Sequence, residues 1–171
     1  MGVPTALNHF LYCHREERMS VVIDFEGFQL DSGYFIVKEL AFCANNSVGL
    51  WTFQPPFPYN ELPSIIKVQY SWVTRNLHRI HWNEGELPYT NLRNILNLLF
   101  ELYPNVYVKG VQKKNFLEFL SGRTCFDLED LNCPKIKQFE KNNSKCSIHG
   151  ADFPHCAFSK AITFHTFLTN L

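Results

Sequence analysis

The chain has 171 residues, 46% of them hydrophobic and 15% aromatic, which suits one domain with a sizeable core. Lys plus Arg and Asp plus Glu both number 16, so the formal net charge is zero and bulk charge does not advertise a nucleic-acid partner, leaving only a local basic patch for that role. No apolar run approaches the ~20 residues of a membrane span, so no membrane association is expected.

Residues 1–20 read as a peripheral segment. They carry Arg15, Glu16, Glu17 and Arg18 in place of the apolar core of a signal peptide, so an intracellular protein, nuclear or cytoplasmic, is expected. In that setting the six Cys are thiols or metal ligands rather than disulfides. Cys13-His14 has no second pair nearby and reads as ordinary surface.

The domain proper spans 21–171. A first strand covers 21–25 and ends in Asp24 and Glu26, which a strand projects to one face while Phe25 takes the other. Two carboxylates that close repel unless something positive sits between them, either a divalent metal or an ammonium. Residues 27–33 are turn-rich, and 34–43 forms a second strand antiparallel to the first. Asn45-Asn46 is a turn, and 48–53 is the third strand of a meander.

Four prolines between 54 and 63 exclude regular structure there. The aromatic stretch from Phe53 through Phe57 to Tyr59 reads as a loop folded over the core by its rings, or else as a partner-docking site. A helix is expected over 64–77 with Ser64 as cap and Ile65, Val68, Trp72 and Val73 on one side. The clearest helix is 89–102, where Leu92, Ile95, Leu96, Leu99 and Leu102 recur at helical spacing and Pro104 stops it.

A short strand over 106–110, a helix over 113–120 closed by Gly122, and a strand over 124–128 follow. This alternation suits parallel strands with right-handed crossovers. The expected architecture is therefore α/β, a mixed five-stranded sheet flanked by helices. A polar interruption, 140–145, precedes a C-terminal helix over 156–168.

A second constellation lies in 131–156: Cys133, Cys146, His149, His155 and Cys156. Cys146-Ser-Ile-His149 has the two-residue gap common in structural zinc sites. Four nitrogen or sulfur ligands make a closed tetrahedron, and Cys133, Cys146, His149 and Cys156 fill it with His155 in reserve. The opposing reading is a loop with thiols and a surface His. Cys43 and Cys125 fall in strands and read as buried thiols. Lys109, Lys113, Lys114, Lys135, Lys137, Lys141 and Lys145 either edge a cleft that tracks a phosphate backbone or form a solvated face broken by Glu118, Glu129, Asp130 and Glu140.

From Val21 to Leu168 the chain resembles the DEDDh branch of the proofreading 3′-5′ exonucleases, which have a ribonuclease-H-like fold. Asp24-Phe-Glu26 matches the family's Asp-x-Glu, and Val37-Lys-Glu39-Leu-Ala41 is similar to its second-strand segment. His78-Arg-Ile80-His-Trp82 stands where an Ile-His-Gly-Ile-like element precedes a helix. His155 through Lys160 has the spacing of the final His-x4-Asp motif.

The resemblance implies four carboxylates holding two divalent ions that clamp the phosphodiester, with His155 as general base. The third carboxylate position, however, falls on Lys114, or on Lys113 after a one-residue slip, and the fourth on Lys160. An ammonium does not ligate a metal. Unit charges about 4 Å apart interact by ~4 kcal/mol at an effective dielectric near 20, attracting Lys to Asp24 or Glu26 and repelling it from a metal. The expectation is an ion-pair cluster at the relic positions Asp24, Glu26, Lys114, His155 and Lys160, with no nuclease activity.

The Cys146, His149 and Cys156 spacing also loosely resembles the Maelstrom domain, another ribonuclease-H-like module with replaced carboxylates and a zinc site, associated with RNA binding and small-RNA silencing. The sequence thus points to a zinc-stapled, exonuclease-like binding module for single-stranded RNA, another nucleic acid or a protein partner. The alternatives are an active Mg- or Mn-dependent 3′-5′ exonuclease using Asp24, Glu26, His155 and a third ligand at Asp127 or Asp152, and a purely protein–protein interaction domain.

Overall fold

The computed structural model describes residues 19–139, 149 and 156–171. Five strands form one mixed sheet in the order β3-β2-β1-β4-β5. They are β1 (Ser20–Gln29), β2 (Phe35–Ala44), β3 (Ser47–Thr52), β4 (Asn105–Val108) and β5 (Phe126–Asp127). The first three pair antiparallel, and β4 and β5 are parallel to β1. The helices are α1 (Ser64–Val73), α2 (Asn91–Leu102), α3 (Val111–Ser121) and α4 (Ala157–Thr169).

β1 is the central strand, and both of its faces are covered. Val21, Ile23 and Phe25 point to one side, against Leu92, Leu96 and Leu99 of α2 and Phe116 and Leu117 of α3. On the other side α4 lays Ala157 and Ala161 on Ala41 and Cys43 of β2, and Phe164 on Val22. Small side chains at that contact let helix and sheet approach closely. A third cluster, Phe28, Ile36, Leu62, Tyr70 and Trp82, packs α1 against the far ends of β1 and β2.

The strand carrying the carboxylates runs four residues past the expected end. Asp24 and Glu26 therefore lie inside β1, because β2 continues to pair with it. Glu26 sits opposite Glu39, but Gly27 sits opposite Val37, so Lys38 is the extra residue of a β-bulge. Gly27 is required there, since a Cβ would collide with the Ile36 carbonyl oxygen.

The helix expected over 64–77 is α1 followed by a π-helical turn, Thr74–His78, that ends on Arg79 in the left-handed region (φ 57°). Its N-cap is Pro63, not Ser64. Of the four residues expected on one side, Ile65, Val68 and Trp72 are 71%, 70% and 58% exposed, while Val73 packs inward. α1 carries a second stripe, Ile66, Tyr70 and Val73, and the aromatic cluster selects it. Tyr70 lies 4.4 Å from Phe28 and stacks on Trp82 at 5.2 Å. β5 is only two residues long, and the chain then turns into a 3-10 segment, Leu128–Leu131. Among the described residues no helix is long and apolar enough to cross a membrane.

Candidate functional site

The face of the sheet beneath the start of α4 carries an unusual density of charge. Asp24 and Glu26 come from β1, and Glu39 faces Glu26 across the strand pair. Asp24 and Glu39 are buried, at 1% and 0% exposure. Three carboxylates so placed require compensating positive charge.

Lysines supply it for the β1 pair. The Lys113 ammonium, one turn into α3, donates to Asp24 Oδ1 (2.8 Å), to the Phe25 carbonyl oxygen (2.6 Å) and to Glu26 Oε1 (3.5 Å). The Lys160 ammonium, on α4, donates to Glu26 Oε1. Burial alone would raise Glu26, but Lys113 and Lys160 outweigh it and hold the carboxyl below its ordinary value. For Asp24 burial dominates over the lysines, so its carboxyl is raised. Lys113 pays a burial penalty too, yet the two carboxylates push its pKa up.

Of the two registers open in the sequence, the cluster takes Lys113. Lys114 points elsewhere and pairs with Glu118 (3.3 Å) along α3. A cleft of about 670 Å³ opens above the cluster, bounded by Glu26, His78, Lys113 and Lys160 on one side and Val68 and Trp72 of α1 on the other.

Glu39 has a different environment. Its Oε1 accepts the Ala157 N–H (2.7 Å) at the start of α4, where the helix dipole favours an anion. Its Oε2 is buried without a hydrogen-bond partner and lies 3.6 Å from His149 Nδ1. His149 Nε2 lies 2.5 Å from the His78 carbonyl oxygen. A carbonyl accepts only, so Nε2 carries the proton and Nδ1 presents a lone pair toward Glu39. This outer-nitrogen anchor is what metal-ligating histidines commonly have.

Glu39, His149 and Cys156 bring one ligand atom each to within 4.8 Å of one another. The Cys156 thiol hydrogen-bonds the Glu39 carboxylate, and once that thiol is deprotonated the three groups could hold a metal ion. Burial pushes the Glu39 carboxyl up to about 7 and, with the Arg79 charge nearby, holds His149 below its ordinary value.

The structure brings His149 and Cys156 together and places Cys133 apart. Cys133 packs with Val22, Leu128 and Phe164, and its thiol lies 3.7 Å from the Pro134 carbonyl oxygen. Cys146, His155, Asp152, Lys141 and Lys145 lie outside the described residues, as does Cys13-His14. Asp127 caps the 3-10 segment instead of facing Asp24: its Oδ1 accepts the N–H groups of Gly110 and Glu129, both at 2.9 Å. Lys109 is held by Glu129 (3.2 Å) and the Cys133 carbonyl oxygen (3.0 Å). The ring of Phe57 lies 5.3 Å from that of Trp82, so the proline-rich loop is folded onto the core.

In the sequence Glu39 and His78 stand only as parts of family-like segments, with no role at the site given to either. His78 is fully enclosed: it takes the Ile80 N–H on Nδ1 (3.1 Å) and meets the Gly27 carbonyl oxygen with Nε2 (3.1 Å), and burial pushes its pKa down to about 4. No protein-family model matches the chain, and a search of the curated proteins finds no match either.

Proposed function

We propose that the chain is a ribonuclease-H-like domain related to the DEDDh exonucleases, catalytically silent, stapled by zinc, and acting as a binding module for single-stranded RNA in a small-RNA silencing setting. The observation that carries the reading is the Lys113 ammonium, 2.8 Å from Asp24 Oδ1 and bonded also to the Phe25 carbonyl oxygen and Glu26. With Lys160 on Glu26, two ammonium groups stand against the carboxylates that a nuclease would use to hold divalent ions. A magnesium or manganese ion entering there would meet two positive charges in a poorly solvated site.

The strand order β3-β2-β1-β4-β5, antiparallel then parallel, supports the fold assignment. The zinc reading rests on Glu39, His149 and Cys156, with Cys146 as the fourth ligand because it precedes His149 by three residues. In that set Glu39 stands in for Cys133. The binding surface is the cleft above the lysine cluster, where Trp72, 58% exposed, offers an aromatic face for a base.

The test pairs elemental metal analysis with a degradation assay on single-stranded RNA and DNA in excess magnesium or manganese, followed by RNA binding at several salt concentrations. About one zinc per chain, no cleavage and salt-dependent RNA binding are expected. Cleavage abolished by Asp24→Asn would establish an active nuclease instead. Zinc without RNA binding would leave a protein–protein module.

A further inference from the structure

α1 separates two cavities. One is the cleft above the lysine cluster. The other, of about 590 Å³, lies on the opposite side and is lined by Arg75, Arg79 and His81 together with Tyr59, Tyr70 and Trp82. Among the described residues no acidic side chain lines it.

The aromatic residues present a particular surface there. Phe28, Tyr70 and Trp82 form a triangle of rings with centroids 4.4, 5.2 and 5.4 Å apart, and Phe57 lies 5.3 Å from Trp82. Two guanidinium groups beside this aromatic wall make a lining suited to an anion. Ser71, Thr74 and Asn83 add neutral hydrogen-bonding groups.

The backbone here is held in an uncommon shape. The π-helical turn Thr74–His78 closes when the Arg79 N–H donates to the Thr74 carbonyl oxygen (3.0 Å), and Arg79 adopts φ 57°, ψ 19°. A left-handed conformation is strained for a non-glycine residue, and such strain and π-turns concentrate at functional positions. The turn is stitched by the Thr74 hydroxyl, which donates to the Ile80 carbonyl oxygen (3.2 Å). Arg75 lies within this turn and Arg79 ends it, so the position of both guanidinium groups is set by the strained segment.

We propose that this cavity binds a phosphate monoester, specifically a nucleoside 5′-monophosphate, with the phosphate taken by Arg75 and Arg79. Guanidinium groups recognise phosphate oxygens through paired hydrogen bonds. The volume lies within the ~300–1,000 Å³ of small-molecule sites, which leaves room for a nucleoside beside the phosphate. The cavity shares Tyr70 with the cleft, and the Arg79 charge lies near His149, but the proposal does not depend on whether the domain is a silent nuclease.

The experiment is isothermal titration calorimetry of the full chain with adenosine 5′-monophosphate, inorganic phosphate and adenosine, repeated on Arg75→Gln and Arg79→Asn. Asn tolerates the left-handed backbone, so Arg79→Asn removes the charge while keeping the turn. The expected result is saturable binding of the monophosphate, weaker binding of phosphate, none of adenosine, and at least a tenfold loss in each variant with unchanged thermal melting. Phosphate binding as tightly as the monophosphate would overturn the nucleoside part. Adenosine binding as tightly as its monophosphate, no saturable binding of either phosphate, or full affinity in the double variant would overturn the site. Should a variant unfold, titration of the wild-type protein followed by the Trp82 indole N–H and His81 ring signals in an NMR spectrum decides the location. Movement of those signals supports the site, and movement confined to residues of the other cavity refutes it.

Discussion

Lys38 has no exposed surface, and its ammonium donates to three backbone carbonyl oxygens: Phe53 (2.6 Å), Trp82 (2.7 Å) and Glu84. It stands at the bulge of β2, and through these bonds it ties the sheet edge to the 82–84 turn. Burial pushes its pKa down to about 8, so it is still charged at neutral pH and all three protons are used. Lys38→Met keeps the apolar stem and removes the donors. The Phe53 and Trp82 carbonyl bonds are buried, and each acceptor left unmet costs ~1–3 kcal/mol, whereas the Glu84 acceptor can turn to water. The desolvation penalty of the ammonium disappears at the same time and offsets part of this. A net loss of about 3 kcal/mol follows. In a domain of this size that lowers the melting temperature by about 6–12 °C. The assay is urea and thermal unfolding at pH 7, with hydrogen exchange at the amides of Gln54, Glu86 and Leu87, which pair across the same turn. Lys38→Arg should fail as well, because a planar guanidinium does not reproduce a three-pronged donor. A Lys38→Met protein as stable as the wild type, with unchanged exchange at those amides, would refute the argument that the ammonium holds the turn.

Lys113→Ala strands Asp24, whose side chain is 2% exposed, and should destabilise by ~3–5 kcal/mol; adding Asp24→Asn should recover part of the loss in a double-mutant cycle, and strict additivity in urea unfolding would contradict the pairing. Glu39→Gln should abolish metal binding by elemental analysis and remove the drop in melting temperature that a strong chelator causes in the wild type; a variant that keeps its metal would strike Glu39 from the ligand set. His78 is neutral when folded, with a pKa of about 4 against 6.5 unfolded, so the unfolded chain binds the extra proton. The stability it contributes is present above pH 6.5 and is lost as the pH falls through 4, by about 3 kcal/mol in all. His78→Phe should flatten this part of the acid limb, and an identical pH dependence in variant and wild type would show that another group controls it.

The order of strands and helices was legible because each element has its own period and its own stop signal. Pro104 ends α2, Gly122 ends α3 in the left-handed conformation, and Asn45-Asn46 turns β2 into β3. What sequence could not supply was the partner that chooses between two equivalent solutions. α1 carries two apolar stripes, and the one that is buried is the one Phe28 and Trp82 meet, two residues far apart in the chain. Likewise Gly27 reads as the start of a turn, but it is the residue that lets β1 continue past a bulge. The bulge depends on a cross-strand clash that local composition does not encode. At the site, the lysine cluster was readable as charge at fixed positions in a motif, while Glu39 needed the register of β2 against β1 to become a neighbour of Glu26.

That register also orders the charges of the whole polar face. Three carboxylates, Asp24, Glu26 and Glu39, face two ammonium groups, Lys113 and Lys160, and both ammonium groups bond the β1 pair. The unmatched carboxylate is Glu39, one strand away, and it is the one that meets His149, Cys156 and the amino end of α4. Lysine at 113 and 160 neutralises the pair on β1, and Glu39 on β2 faces no ammonium group among the described residues. Under the proposed exonuclease relationship the metal requirement of this face has moved sideways by one strand, from the two residues that would cut a phosphodiester to a set that pins the last helix to the sheet. Under the proposed metal reading a cation there would fasten α4, which covers β1 and β2, and so a chelator should loosen the helix before it loosens the lysine cluster. Hydrogen exchange in the first turn of α4, compared with exchange at β1, would separate the two, and simultaneous loss of protection at both would contradict the order.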